Sequence, residues 1–121
     1  MVGWLWWTLS TLSVAARVSI RSPGSFASAP ADWWILVSVA PREEHRLLVV
    51  EAIGEPGEYR RSDYTLEGER AAKMRQVYYR VLPEGCYRFR ARVYGHGREL
   101  GAATSPLLRV IGLAGNLCPE S

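Results

Sequence analysis

From Arg17 onward the chain runs in short apolar-polar alternations punctuated by turn residues. Residues 17–21 (RVSIR) alternate, and Ser22-Pro23-Gly24-Ser25 breaks them. A Pro/Ala connection over 28–32 leads into 33–40 (WWILVSVA), which is β-branched and aromatic and stops at Pro41. After a charged turn (PREEH) comes 46–53 (RLLVVEAI), closed by Gly54-Glu55-Pro56-Gly57-Glu58. Residues 59–66 (YRRSDYTL) read as a polar, half-exposed strand, and 77–81 alternates at period two. The sharpest strand is 86–94 (CYRFRARVY). Its phase sends Tyr87, Phe89, Ala91 and Val93 one way and Arg88, Arg90 and Arg92 the other. Gly95-His96-Gly97 turns the chain, and 104–111 (TSPLLRVI) closes the pattern. Residues 67–76 would allow one or two helical turns and are read as a loop entering a strand. Seven strands about ten residues apart, with no internal repeat, predict an all-β domain: an antiparallel β-sandwich with Greek-key connections.

The first sixteen residues, MVGWLWWTLSTLSVAA, carry no charged side chain. The apolar run is shorter than the roughly 20 residues of a transmembrane helix. It ends in small residues spaced as at a signal cleavage site, although no Lys or Arg precedes it. The expectation is an export signal over 1–16, a sandwich over 17–112 and a tail over 113–121. The alternatives for 1–16 are a short uncleaved anchor or a strand packed on the domain.

Leu82-Pro83-x-Gly85-x-Tyr87-x-Phe89-x-Ala91 resembles the corner before strand F of immunoglobulin-like and fibronectin type III-like domains. In that family a tyrosine early in the strand anchors the corner through its hydroxyl, a role the resemblance gives to Tyr87. Residues 33–53 look like two central strands of the same fold. The whole resembles small exported bacterial immunoglobulin-like domains of unassigned function. Such folds host many unrelated activities, so the resemblance implies architecture and says little of chemistry.

Composition adds three points. The 121 residues suffice for one domain, and the net charge of +3 is mild for a nucleic-acid binder. Lys73 is the only lysine among 15 basic residues, so the basic surface is arginine. The two cysteines, Cys86 and Cys118, form no Cys-x-x-Cys, which argues against structural zinc. Cys86 is out of phase with Tyr87 and faces away from the core, and the expected second-strand cysteine of antibody-type domains is missing. A core disulfide is therefore disfavoured. An edge bridge between Cys86 and Cys118 and a pair of free thiols both stay open. With a hairpin spanning 95–104, position 86 would fall opposite roughly 113, and the bridge would add about 3–4 kcal/mol.

Candidate chemistry is sparse. His45 lies beside Glu43 and Glu44, and His96 lies between glycines, with no nucleophile motif near either. Glu43, Glu44, Glu67 and Glu69 read as solvated turn charges, and an enzyme would need His45 or His96 to converge with acids in a cleft. Arg88, Arg90 and Arg92 form a stripe spanning about 13 Å, continued by Tyr94. Glu51 on the neighbouring strand is placed to offset it. Trp33 and Trp34 cannot both face inward, nor can Tyr78 and Tyr79. Arg and Tyr interleave in 87–94 on opposite faces, which argues against a nucleic-acid surface. The expected function is a non-catalytic extracytoplasmic binding or structural module without cofactor or metal. Its expected partner is a protein, a cell-envelope component or an anionic ligand at Arg88, Arg90, Arg92 and Tyr94. The alternative is carbohydrate binding through Trp33 and Tyr78. Membrane contact would come only through a retained segment 1–16.

Overall fold

A computed structural model describes residues 18–55 and 57–113. The expected export signal and Cys118 lie outside the described residues. Nine strands follow in order: β1 (Val18–Arg21), β2 (Phe26–Ser28), β3 (Ala31–Val39), β4 (Leu47–Glu55), β5 (Tyr59–Thr65), β6 (Met74–Leu82), β7 (Gly85–Gly95), β8 (Arg98–Thr104) and β9 (Leu108–Ile111). A single 3-10 turn, Gly68–Arg70, precedes β6. One sheet is ordered β1-β3-β6; the larger is ordered β2-β9-β7-β4-β5, with β8 also paired to β7. The two form the expected sandwich.

The nine segments reduce to the expected seven strands once two interruptions are understood. Ser22–Ser25 carries the chain from the small sheet to the edge of the large one. There β2 pairs with β9 in parallel, the exception to an otherwise antiparallel fold. The second interruption is Ser105-Pro106, between β8 and β9. Pro106 has no N–H to give the ladder. Ser105 fills the gap: the Phe89 N–H donates to its Oγ at 3.0 Å, and its own N–H donates to the Phe89 carbonyl at 2.8 Å.

The last hairpin is tighter than the sequence suggested. His96 and Gly97 both have positive φ, and Gly95 pairs directly with Arg98. This is a two-residue turn of the kind hairpins favour. Residues 98–103, poor in β-branched side chains, are therefore a strand and not part of the loop. Cys86 consequently faces Arg109 rather than position 113.

The core lies between the sheets. Tyr87, Phe89, Ala91 and Val93 point inward as their phase predicts, and all are buried. They meet Ile35, Val37, Val77 and Tyr79 of the small sheet. The Tyr79 and Phe89 rings pack across the layers at 5.2 Å between centroids, tilted by 31°. Burying a side chain of this size contributes about 1.5–3 kcal/mol. The Tyr87 hydroxyl donates to the Pro83 carbonyl at 2.7 Å, the corner anchor that the resemblance implied. Its ring lies over Gly54, where an added Cβ would sit 2.6 Å from the ring edge.

Candidate functional site

The outer face of the large sheet carries the arginine stripe. β4 lies between β7 and β5 and is buried on both sides: Leu48, Val50 and Ala52 inward, Val49 and Glu51 outward. Val49 stands opposite Arg92 on that face. Glu51 stands opposite Arg90 in register. Its Oε1 accepts from Arg90 Nε at 2.9 Å and lies 3.0 Å from Arg92 Nη2, and its Oε2 accepts from the Tyr59 hydroxyl. Burial opposes ionisation of Glu51. The Tyr59 and Arg90 hydrogen bonds and the charges of Arg90 and Arg92 outweigh it and hold the carboxyl below its ordinary range. Arg92 also lies 4.0 Å from Glu99 and 5.8 Å from the centre of the Tyr94 ring. Arg88 stands one row away, opposite Ile53. Alongside, Arg61 grips Asp63 at 2.8 and 3.2 Å. The stripe is thus a compensated network. Its cations are shared with carboxylates that the fold itself supplies, and little charge is left over at Arg90 and Arg92 for a ligand.

The outer face of the small sheet is different. Trp33 opposes Tyr79, and Trp34 opposes Tyr78. The first pair points inward. Trp33 is half-buried against the core, and its indole N–H donates to Ser22 Oγ at 3.1 Å. The second pair points to solvent, with Trp34 37% and Tyr78 64% exposed. The aromatic that accompanies Tyr78 on this face is therefore Trp34 rather than Trp33. Leu36 and Met74 extend the patch, Met74 being 54% exposed and two rows from Tyr78. Gln76, opposite Leu36, lies between the rows of Tyr78 and Met74, and Arg21 and Arg80 flank the patch. No ion pair consumes this surface among the described residues.

The third region is the end of the sandwich where the β3–β4 loop meets the β5–β6 loop. The Gly68 N–H donates to the His45 carbonyl at 3.3 Å, and the Leu66 N–H to the Arg46 carbonyl at 2.9 Å. Arg46 Nη1 also donates to the carbonyls of His45, at 2.9 Å, and Glu43. Gly95 lets the loop approach β7, since a Cβ there would strike the Glu44 carbonyl at 2.0 Å. An open cleft of about 750 Å³ is lined by Glu43, Arg46, Leu66, Glu67, Gly68, Glu69 and Arg70. Neither histidine lines it. His45 is buried, and neither ring nitrogen has a partner in hydrogen-bonding geometry. Burial lowers its pKa, helped by Arg42 and opposed by Glu44 and the nearby Ala40 backbone. His96 occupies the two-residue β7–β8 turn next to Gly95.

No family model matches the chain, and no curated protein does. Solved structures do. A superoxide reductase (neelaredoxin) from Ignicoccus hospitalis is similar at 19% identity and a TM-score of 0.62, over 82% of this chain and 85% of that one. The CARDB domain of a Pyrococcus furiosus protein, solved in complex with di-metal ions, is similar at 17% identity and a TM-score of 0.50, over 78% and 91%. These likenesses show the fold, an immunoglobulin-like β-sandwich, and nothing beyond it. Among the described residues no group of three His, Cys, Asp or Glu is arranged to hold a metal. No helix among them is long and apolar enough to cross a membrane.

Sequence phase could have found Trp34. It requires only that β3 and β6 pair, which places Trp34 beside Tyr78. The burial of His45 left no such trace, because it comes from the β3–β4 loop packing on the β5–β6 loop and the end of β7.

Proposed function

We propose that this chain is a non-catalytic binding module, working outside the cytoplasm, whose contact face is the outer surface of the β1-β3-β6 sheet. The observation that carries the reading is the Trp34–Tyr78 cross-strand pair. Both rings face solvent and continue into Leu36 and Met74. Exposed apolar side chains clustered among polar ones mark an interaction surface, and Trp, Tyr and Met are enriched at interface centres. A protein partner fits an exposed methionine on the same face as two aromatic rings. The charge-paired stripe on the opposite sheet supports the choice, because Glu51 already occupies Arg90 and Arg92. Export is supported by the composition of residues 1–16 alone.

Carbohydrate is the second reading, favoured by two aromatic rings side by side with Gln76 and Arg80 available for hydroxyls. The test is retention of the purified chain on immobilised cell-envelope proteins and, in parallel, migration in gels containing polysaccharides. Trp34→Ala and Tyr78→Ala should each weaken protein retention at least about tenfold, in line with aromatic anchors at interfaces. Retardation by polysaccharide alone, abolished by the same substitutions, would replace the protein partner with a glycan. Unchanged retention in both variants would remove this face from consideration.

A further inference from the structure

β5 ends the strand order of the large sheet and leaves one edge open. Its ladder with β4 runs from Tyr59 to Thr65 without a bulge. Just beyond the two ends of that ladder, the Gly54 N–H donates to the Glu58 carbonyl at 2.7 Å and the Leu66 N–H to the Arg46 carbonyl at 2.9 Å. Bonded pairs alternate along an antiparallel ladder, so Arg60, Ser62 and Tyr64 are the residues that bond to β4. Tyr59, Arg61, Asp63 and Thr65 turn their N–H and C=O groups to the open edge. No hydrogen bond reaches those backbone groups among the described residues. We infer that this edge pairs with the same edge of a second copy of the chain, antiparallel about a two-fold axis at Ser62.

Charge selects both the occupant and the register. An axis at Ser62 brings Arg61 of each copy opposite Asp63 of the other, with Cα atoms about 5.5 Å apart as in any bonded pair. Tyr59 then falls opposite Thr65, and the outward backbone groups of all these residues meet a donor or an acceptor. An axis between two residues would set outward groups against residues that bond to β4. An axis at Arg61 would set two guanidinium groups face to face, and one at Asp63 two carboxylates, both unfavourable. Within one chain Arg61 and Asp63 already pair at 2.8 Å on the exposed surface, with side chains 48% and 47% accessible. The same groups can exchange partners across the axis. A two-fold contact requires a patch that complements itself in this way.

The edge also lacks the usual defences against pairing. Residues 59–65 contain no Pro, Gly or Lys. Arg60 points inward, but its guanidinium is taken by Glu58 and by the Arg80 and Val81 carbonyls of β6. That capping, with the register shift opposite Asp32, protects β6, the edge of the facing sheet on the same side. The fold thus guards one of two adjacent edges and leaves the other bare. Seven residues of edge bury a small area, so the dimer is reversible and set by concentration. Main-chain hydrogen bonds supply its affinity and the Arg61–Asp63 rows its specificity. The contact is independent of the Trp34–Tyr78 face.

Sedimentation velocity of the full chain over a concentration series tests this. The parent should show a monomer–dimer equilibrium. Arg61→Asp and Asp63→Arg each set like charges opposite one another and should weaken the dimer at least about tenfold. An equimolar mixture of the two variants should form a heterodimer, because each supplies the charge that the other lacks. The double variant Arg61→Asp/Asp63→Arg should regain the dimer for the same reason. Rescue by mixing shows in addition that both single variants are folded. A parent that stays monomeric up to about 1 mM would overturn the inference. So would a dimer that both single variants leave intact, or weakened variants that mixing does not restore.

Discussion

Glu51 shows how one residue decides what a surface is for. Its carboxyl gathers Arg90, Arg92 and Tyr59, so the most basic strand in the sequence contributes to a closed network. Glu51→Gln leaves two arginines facing each other across a neutral amide. Both are partly solvated, so the expected loss is about 1–2 kcal/mol in a denaturant titration, less than a fully buried pair would cost. Tyr87→Phe removes only the hydroxyl that donates to Pro83 and should lose about 1 kcal/mol, measured the same way. Val81 predicts the opposite sign. It is a β-branched residue at φ 54°, exposed, with its N–H held by Asp32 Oδ1 at 2.9 Å. Val81→Gly relieves that backbone without removing a core contact and should raise stability by about 1 kcal/mol. His45 sets a pH dependence. Burial holds its folded pKa below the ordinary 6.5, so the unfolded chain takes the proton first. Stability is therefore complete above that value and is lost as pH falls through the folded pKa. Glu51 adds a second loss at lower pH, below the ordinary 4.5. The melting temperature should drop between pH 7.5 and 5.5, and His45→Gln should flatten that first slope while leaving the second.

At the scale of elements, the strands with clean alternation were legible and those without it were not. β7 declares both faces, because aromatic and aliphatic positions alternate with arginines over its whole length. β5 is equally plain, a two-sided polar edge strand whose Arg60 donates to the Arg80 and Val81 carbonyls of the facing sheet. β8 is hidden by Gly101, Ala102 and Ala103 and is held by its turn and its partner, not by propensity. β2 is hidden because three residues carry no period. The aromatic site was half legible: the doubled Trp and doubled Tyr announce that one of each must leave the core, and only the pairing of β3 with β6 says which. Since the outward pair makes no core contact, Trp34→Ser and Tyr78→Ser should keep the parent melting temperature within about 2 °C while losing partner binding. A thermal scan beside the retention assay separates the two effects.

At the scale of the whole molecule, the two sheets divide the labour. The large sheet pairs the arginines of its outer face through Glu51. The small sheet carries three strands, contributes Ile35, Val37 and Tyr79 to the core, and leaves Trp34, Tyr78 and Met74 facing solvent. The fold is shared with proteins of unlike activity, so the function has to be read from which face remains unsatisfied. The most direct measurement is site-specific photo-crosslinking in the source cell, with a photoreactive amino acid introduced at Tyr78 in one strain and at Tyr94 in another. The two positions report on the outer faces of opposite sheets. The account predicts a discrete adduct from position 78 and none from position 94. An adduct from position 94 with none from 78 would contradict it and return the binding face to the arginine stripe.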